Sequence, residues 1–248
     1  MQKNLASGHA TNVVMLITLI SLIQSFGDNY KPSKETIKLA ALQKLLTECE
    51  NVIAVIVNLE VANKNAVDAR DHAYQSFNIL LTSLNNMIKA SDTSNEVRIY
   101  VNTLVRLIRV GKITSKNPAA PIADPDAEKV ETKTVASHKL GHDIRLKNFD
   151  KLIQYLATVP TYTPNEPELS IKGLTTCHDD LQSKNQAAVN ADIQLNQARI
   201  IRKAAFYTPS TGLAYAGNEA KSYIKAIYGS QSPEYKQVAK LKFKIYKS

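Results

Sequence analysis

A chain of 248 residues that is 44% hydrophobic has room for one large domain or two small ones, and is too apolar for general disorder. Two cysteines without a Cys-x-x-Cys spacing exclude a disulfide framework and make a reducing compartment the default. The net charge of +9 is concentrated at one end: residues 199–248 carry ten basic side chains opposed only by Glu219 and Glu234.

The first predicted element is a short helix over 10–26, with Thr11 or Asn12 as its cap. Its apolar run, residues 13–23, is shorter than the roughly 20 residues a bilayer requires. Ser25-Phe26-Gly27-Asp28 follows it in place of a small-x-small cleavage site. A buried core helix is the preferred reading, with a membrane-contacting helix and a targeting segment as alternatives. Pro32 disfavours helix at Lys31 and sets a turn after Tyr30. A very long helix comes next, because no Gly or Pro interrupts residues 33–90. Its length is on the order of 85 Å at 1.5 Å per residue.

Within that helix Leu42, Cys49, Ile56, Phe77 and Leu84 occupy one heptad position. Leu45, Val52, Leu59, Ala66, Ala73, Leu80 and Met87 occupy the other, which reads as a coiled coil or long bundle. Asn63 and Arg70 break the first series. A helix over about 95–110 follows Ser94. Residues 111–140, with Pro118, Pro121 and Pro125, read as a linker. A helix over 143–158 capped by Asp143, a turn at Tyr162-Thr163-Pro164 and a second long helix follow, the last marked by Leu174, Leu181, Ala188 and Leu195. Pro209 predicts a break near Tyr207-Thr208-Pro209, and Ser232-Pro233-Glu234 opens a helix over 233–241. The alternation of Lys240, Lys242 and Lys244 with Leu241, Phe243 and Ile245 predicts a short strand or extended tail, with Val105 to Ile113 as a partner.

The chain also resembles itself. Tyr30 and Pro32 return as Tyr162 and Pro164, 132 positions on, as do Ile37, Leu39 and Leu42 as Leu169, Ile171 and Leu174. Gly8-His9 matches Gly141-His142. Ala69-Arg70, Phe77 and Leu84 match Ala198-Arg199, Phe206 and Leu213 at a spacing of 129. The difference is about one helical turn, so the helical face is kept. A period this long indicates a duplicated supersecondary unit, not a solenoid of 20–50-residue repeats.

Chemistry is sparse. His138 and His142 stand four apart, but Gly141 lies between them and neither a zincin glutamate nor a third ligand is evident. In Cys177-His178-Asp179-Asp180 adjacent side chains point about 100° apart on a helix, and Cys177 falls on a core position, so a small buried hydrophobe is the better reading. Arg70 and Arg199 read as partners of neighbouring acids, or as anion contacts. No dinucleotide, P-loop, nucleophile-elbow or EF-hand pattern is present. The sequence therefore calls for no catalytic residue, cofactor or metal.

The functional signal is the basic C-terminal region: Arg199, Arg202, Lys203, Lys221, Lys225, Lys236, Lys240, Lys242 and Lys244, interleaved with six of the eleven tyrosines. Such cations neutralise phosphates, and tyrosines stack on bases. The competing reading is a solvated face, or one for an acidic protein partner, with tyrosines packed inward.

Tyr30 to Ser33, Lys38 to Leu42, Asn148 to Ile153, Tyr207 to Leu213 and Ser232 to Val238 resemble segments of a group of uncharacterised helical proteins from Bacteroidetes-type bacteria. The resemblance spans most of the chain. It implies a bacterial origin and an uncleaved chain, and carries no activity, cofactor or site.

The reading is therefore all-α: an elongated antiparallel helical bundle or coiled coil from a tandem duplication of a three-helix unit. Residues 1–110 form one unit, 111–140 the linker and 141–248 the second unit with its basic end. The expected role is a non-catalytic structural or interaction protein of the bacterial cytoplasm that self-associates through exposed remnants of the seam. A nucleic-acid-binding protein is the alternative, and a membrane-active bundle that releases residues 13–23 the least favoured.

Overall fold

No glycine or proline falls between Leu39 and Ala90, and these 52 residues form one uninterrupted α-helix. The computed structural model describes residues 8–110 and 135–246, and among them every regular element is helical. In chain order these are α1 (Gly8–Ser25), α2 (Leu39–Ala90), α3 (Asn95–Val110), α4 (Val135–Ala157), α5 (Ile171–Tyr207), α6 (Leu213–Tyr228) and α7 (Pro233–Ala239). The helix expected to start at Asp143 begins eight residues earlier. Residues 111–134 of the proline-bearing linker lie outside the described residues.

The ends of the helices have local chemical causes. Past Ala90, Ser91 Oγ and Thr93 Oγ1 both donate to the Ile88 carbonyl, at 2.9 and 3.1 Å. Arg98 Nη2 donates to the Ser91 carbonyl at 2.7 Å. These bonds satisfy acceptors that a helix C-terminus leaves open. Pro209 cannot donate to a helical ladder, and α5 ends at Tyr207 as the sequence predicts. The Ser232 side chain caps α7 by accepting from Tyr235 N–H at 3.1 Å, with Pro233 in the first turn.

Contacts divide the chain into two compact units that do not follow chain order. One is Met1–Ala62 with Asp192–Ser248, the other Asn63–Ala191. In the first unit Leu16, Leu19 and Ile23 of α1 pack with Leu42 and Cys49 of α2, Phe206 of α5 and the small-residue face of α6. In the second, Phe77, Leu81, Leu84 and Ile88 of α2 pack with α3, with Phe149, Leu152 and Leu156 of α4, and with Leu174 and Leu181 of α5. Burial of each large side chain contributes about 1.5–3 kcal/mol.

Each unit contains the same loop closure. The buried Tyr30 hydroxyl donates to the Ile37 carbonyl at 2.6 Å, and the buried Tyr162 hydroxyl donates to the Leu169 carbonyl. Both acceptors end a one-turn 3₁₀ helix, at Glu35–Ile37 and Pro167–Leu169. Tyr162→Phe removes the donor while keeping the ring. The expected result is a loss of about 1–3 kcal/mol, seen as a lower urea midpoint at unchanged slope.

The expected C-terminal strand is not formed, and α3, which held its proposed partner, is a helix to Val110. The alternation holds as far as Phe243 and fails at Ile245. Leu241 and Phe243 are buried, while Lys242, Lys244 and Ile245 are exposed. What replaces the neighbouring strand is one side chain. Asn12, 1% exposed, donates from Nδ2 to the Lys244 carbonyl at 2.7 Å and accepts the Lys244 N–H at 3.0 Å on Oδ1. An amide side chain has a peptide's donor and acceptor, so it pairs the tail as a strand would. The Phe243 ring lies where a Cβ on Gly217 would stand, 2.6 Å away, so only glycine admits this approach.

Candidate functional site

The nine basic residues singled out in the sequence all belong to the first unit, and the fold separates them into two groups. Arg199 Nη2 lies 3.4 Å from Glu60 Oε1, so its charge is shared with α2. The Lys221 ammonium donates to the Leu241 carbonyl and holds the tail, and its burial lowers its pKa. Arg202 is half-buried beside His9. Lys203, Lys225, Lys236, Lys240, Lys242 and Lys244 are exposed, with Lys225 Nζ 5.6 Å from the Tyr235 ring centre.

The tyrosines mostly face inward. Tyr223 meets Tyr30 edge-on at 5.3 Å between ring centres, and Tyr228 meets Phe26 at 5.4 Å. Tyr246 packs on His9 at 5.9 Å and on Tyr207 at 6.3 Å. The surface this leaves is a set of exposed ammonium groups, suited to point-charge contact with anions. Of the rings beside it, Tyr246 is 37% exposed and Tyr235 lies against Lys225.

His9 is the titratable hinge of this region. The Tyr207 hydroxyl and His9 Nδ1 are 2.7 Å apart. Burial first, and the Arg202 charge second, hold the imidazole below its usual 6.5. Burial, with Tyr246 second, pushes the Tyr207 hydroxyl up to about 12, so it stays protonated beside His9. The sign follows from linkage: the unfolded chain takes up the proton more readily, so stability rises with pH across the histidine range and falls as pH drops below 6.5. His9→Phe keeps a ring in contact with Phe206 and is expected to flatten that dependence between pH 7 and 5. Urea midpoints at each pH measure it.

The other sequence candidates fall in the second unit. His142 stacks against Tyr74 with ring centres 4.4 Å apart, and the His138 side chain lies outside the described residues. Cys177 lines a groove beside Phe77 and Leu181, where burial pushes its thiol up to about 11. His178 turns to Asp179, at 3.2 Å, and not to the thiol. Arg70 pairs with Asp71 at 3.2 Å. Among the described residues no three His, Cys, Asp or Glu side chains converge on a common point.

Sequence reasoning missed a different surface. In the first unit, where α2 meets the end of α5, the buried core is only Ile56, Leu195 and Ala198, flanked by Val52 and Leu59. Outside it stand Val57 and Val61 on α2 and Ile193 and Ile200 on α5, from 45% to 69% exposed. These are not heptad-seam positions. The available signal was the run Val52 to Leu59, apolar on nearly every face, which a two-helix contact cannot cover. By length and composition α1 is apolar enough to cross a membrane, yet Leu16, Leu19 and Ile23 face the core.

No family model, curated protein or solved structure matches the chain.

Proposed function

We propose that this protein is a non-catalytic helical scaffold that self-associates, built as a bundle by tandem duplication. The observation that carries the reading is the apolar outer surface of the first unit, with Val57, Val61, Ile193 and Ile200 exposed beside a three-residue core. Large exposed apolar patches mark interaction sites. The occupant that fits best is a second copy. Beside this surface Glu60 and Arg199 neutralise one another. An apolar face complements itself in an isologous dimer.

The duplication is supported by the matched tyrosine closures and by the burial of Phe77 and Phe206 at equivalent places. Each compact unit joins the first part of one repeat to the second part of the other. Light scattering with the 260/280 nm absorbance ratio tests the assembly: a defined oligomer free of nucleic acid is expected. A protein-only monomer at up to ~100 µM overturns it.

A second reading rests on the exposed lysines at 236, 240, 242 and 244: contact with nucleic-acid phosphates. On this reading affinity for single-stranded DNA falls linearly with salt on logarithmic axes, each neutralised phosphate adding about 0.7 to the slope. Replacing Lys240, Lys242 and Lys244 with Gln is then expected to lower the slope by about two. Binding that ignores salt, or the substitutions, eliminates it.

A further inference from the structure

After α7 the chain runs through residues 241–246 without a regular element, and two helices of the first unit hold it as a receptor holds a peptide. The Lys221 ammonium on α6 donates to the Leu241 carbonyl. Asn12 on α1 takes both polar groups of Lys244, donating to its carbonyl at 2.7 Å and accepting its N–H at 3.0 Å. Asn12 is 1% exposed, on a helix whose other buried residues are all apolar. Its amide and Lys221 meet the main chain of the tail, so they fix register without reading side chains.

The side chains are read by two slots. The Phe243 ring lies against Gly217 of α6, and the Tyr246 ring occupies the place of a Cβ on Gly8 of α1. On each helix the slot and the polar grip are four residues apart, Gly8 with Asn12 and Gly217 with Lys221, so both share one face. Leu241 and Phe243 are 7% and 8% exposed, while Lys242 and Lys244 stand in solvent. Main-chain pairing with pockets for alternate side chains is how extended peptides are recognised.

These holds all fall on residues 241–246, and α7 adds a turn bond from the Leu241 N–H to the Val238 carbonyl at 3.1 Å. The seat therefore recognises the segment, not its attachment, and the exposed Lys240 is the hinge between them.

We propose that this α1–α6 seat is a peptide-binding site that takes residues 241–246 of a second copy as well as its own, so that copies link by exchanging tails. The contacts are the same in either arrangement, which makes exchange of an identical element a low-cost route to assembly. A tethered tail has an effective concentration on the order of millimolar, so the closed chain prevails in dilute solution. Exchange sets in at high concentration, or where a chain's own seat is blocked. This contact does not depend on the apolar outer surface of α2 and α5.

The test uses full-length chains and a fluorescein-labelled peptide of residues 238–246. In the double variant Leu241→Ser, Phe243→Ser the tail loses its anchors and the seat stands open. Saturable 1:1 binding of the peptide to this open chain is expected, at least tenfold tighter than to the parent, whose tail competes. Phe243→Ala in the peptide, or Asn12→Ala added to the open chain, is expected to weaken binding at least tenfold. Lys242→Gln in the peptide is expected to change it less than twofold. Exchange itself is read by mixing the open chain with Gly217→Leu, whose leucine fills the ring's place and frees an intact tail. Both partners carry Ile200→Lys, so that the outer surface does not contribute, and Asn12→Leu replaces Gly217→Leu if circular dichroism shows lost helix. Sedimentation velocity is expected to show a 1:1 complex that excess peptide dissolves. The proposal is overturned by an open chain that binds no peptide, by equal binding to open chain and parent, or by a mixture that stays monomeric. An open chain that loses its helix signal and does not regain it with peptide overturns it as well, because bound peptide restores the same contacts.

Discussion

Replacing Phe77 with alanine is expected to loosen residues 63–110 and 141–191 while leaving residues 8–62 and 192–246 closer to native protection. Phe77 is 1% exposed and meets Phe149 with ring centres 4.5 Å apart, Tyr74 at 6.1 Å and the Arg145 guanidinium at 5.8 Å. Truncating a buried phenylalanine to alanine costs about 3–5 kcal/mol through lost burial and the cavity left behind, a large share of the stability of an ordinary domain. Phe206→Ala is the matched experiment in the first unit. That side chain is fully buried and touches His9 edge-on at 5.3 Å.

Hydrogen exchange read by mass spectrometry localises the effect, because regions open in cooperative units. Phe77 and Phe206 lie at equivalent places in the two sequence repeats. If the cooperative units were the contiguous repeats, Phe77→Ala would raise exchange over residues 8–110 and spare 141–246. If they are the compact units, the same variant spares α1 and exposes α4. The experiment thus separates the unit read from the sequence repeat from the unit defined by packing.

That separation also explains what was legible in the sequence. The repeat says which segments are alike, and similarity carries no information about which of two similar partners a segment packs against. Heptad spacing correctly marks Leu42, Cys49, Ile56, Phe77 and Leu84 as buried, although no residue of α2 between Ile56 and Tyr74 is buried. It fails for Tyr74, Leu81 and Ile88, which are buried one position beyond the seam residues Ala73, Leu80 and Met87. In the second unit α3 and α4 cover a second stripe, which widens the buried face beyond two positions in seven. Conversely Leu45, Val52 and Leu59 are seam residues only half-buried.

The basic region shows the same limit. Its charges are visible in the composition, while the acid that binds Arg199 is 139 positions away and the carbonyl that holds Lys221 is fixed by an unanticipated tail. The alternation of that tail was readable, but its partner, Asn12, is a single side chain 232 residues distant. Local pattern reports the face that must be covered; it does not name the cover.

The outer surface of the first unit is where that statement has its largest consequence. Ile200→Lys is expected to weaken self-association roughly a hundredfold without unfolding the chain. Ile200 is 69% exposed, so most of its apolar surface remains to be covered, worth on the order of 1–2 kcal/mol per side chain. In an isologous dimer the residue is used twice, and a loss of 2–4 kcal/mol converts to about two decades of dissociation constant at 1.4 kcal/mol per tenfold. Lysine has at least the helix propensity of isoleucine, so α5 itself tolerates the change. Val61→Lys, at a position 57% exposed on α2, is the companion, and its effect adds to the first if both strips lie in one interface. Sedimentation velocity across a concentration series gives the dissociation constants, and urea melts of the same samples give stability. A chain whose mass ignores both substitutions does not assemble through this face. One that unfolds with either has those residues buried in the monomer, against their exposure here. Loss of assembly at unchanged intrinsic stability leaves the uncovered valines and isoleucines as the contact.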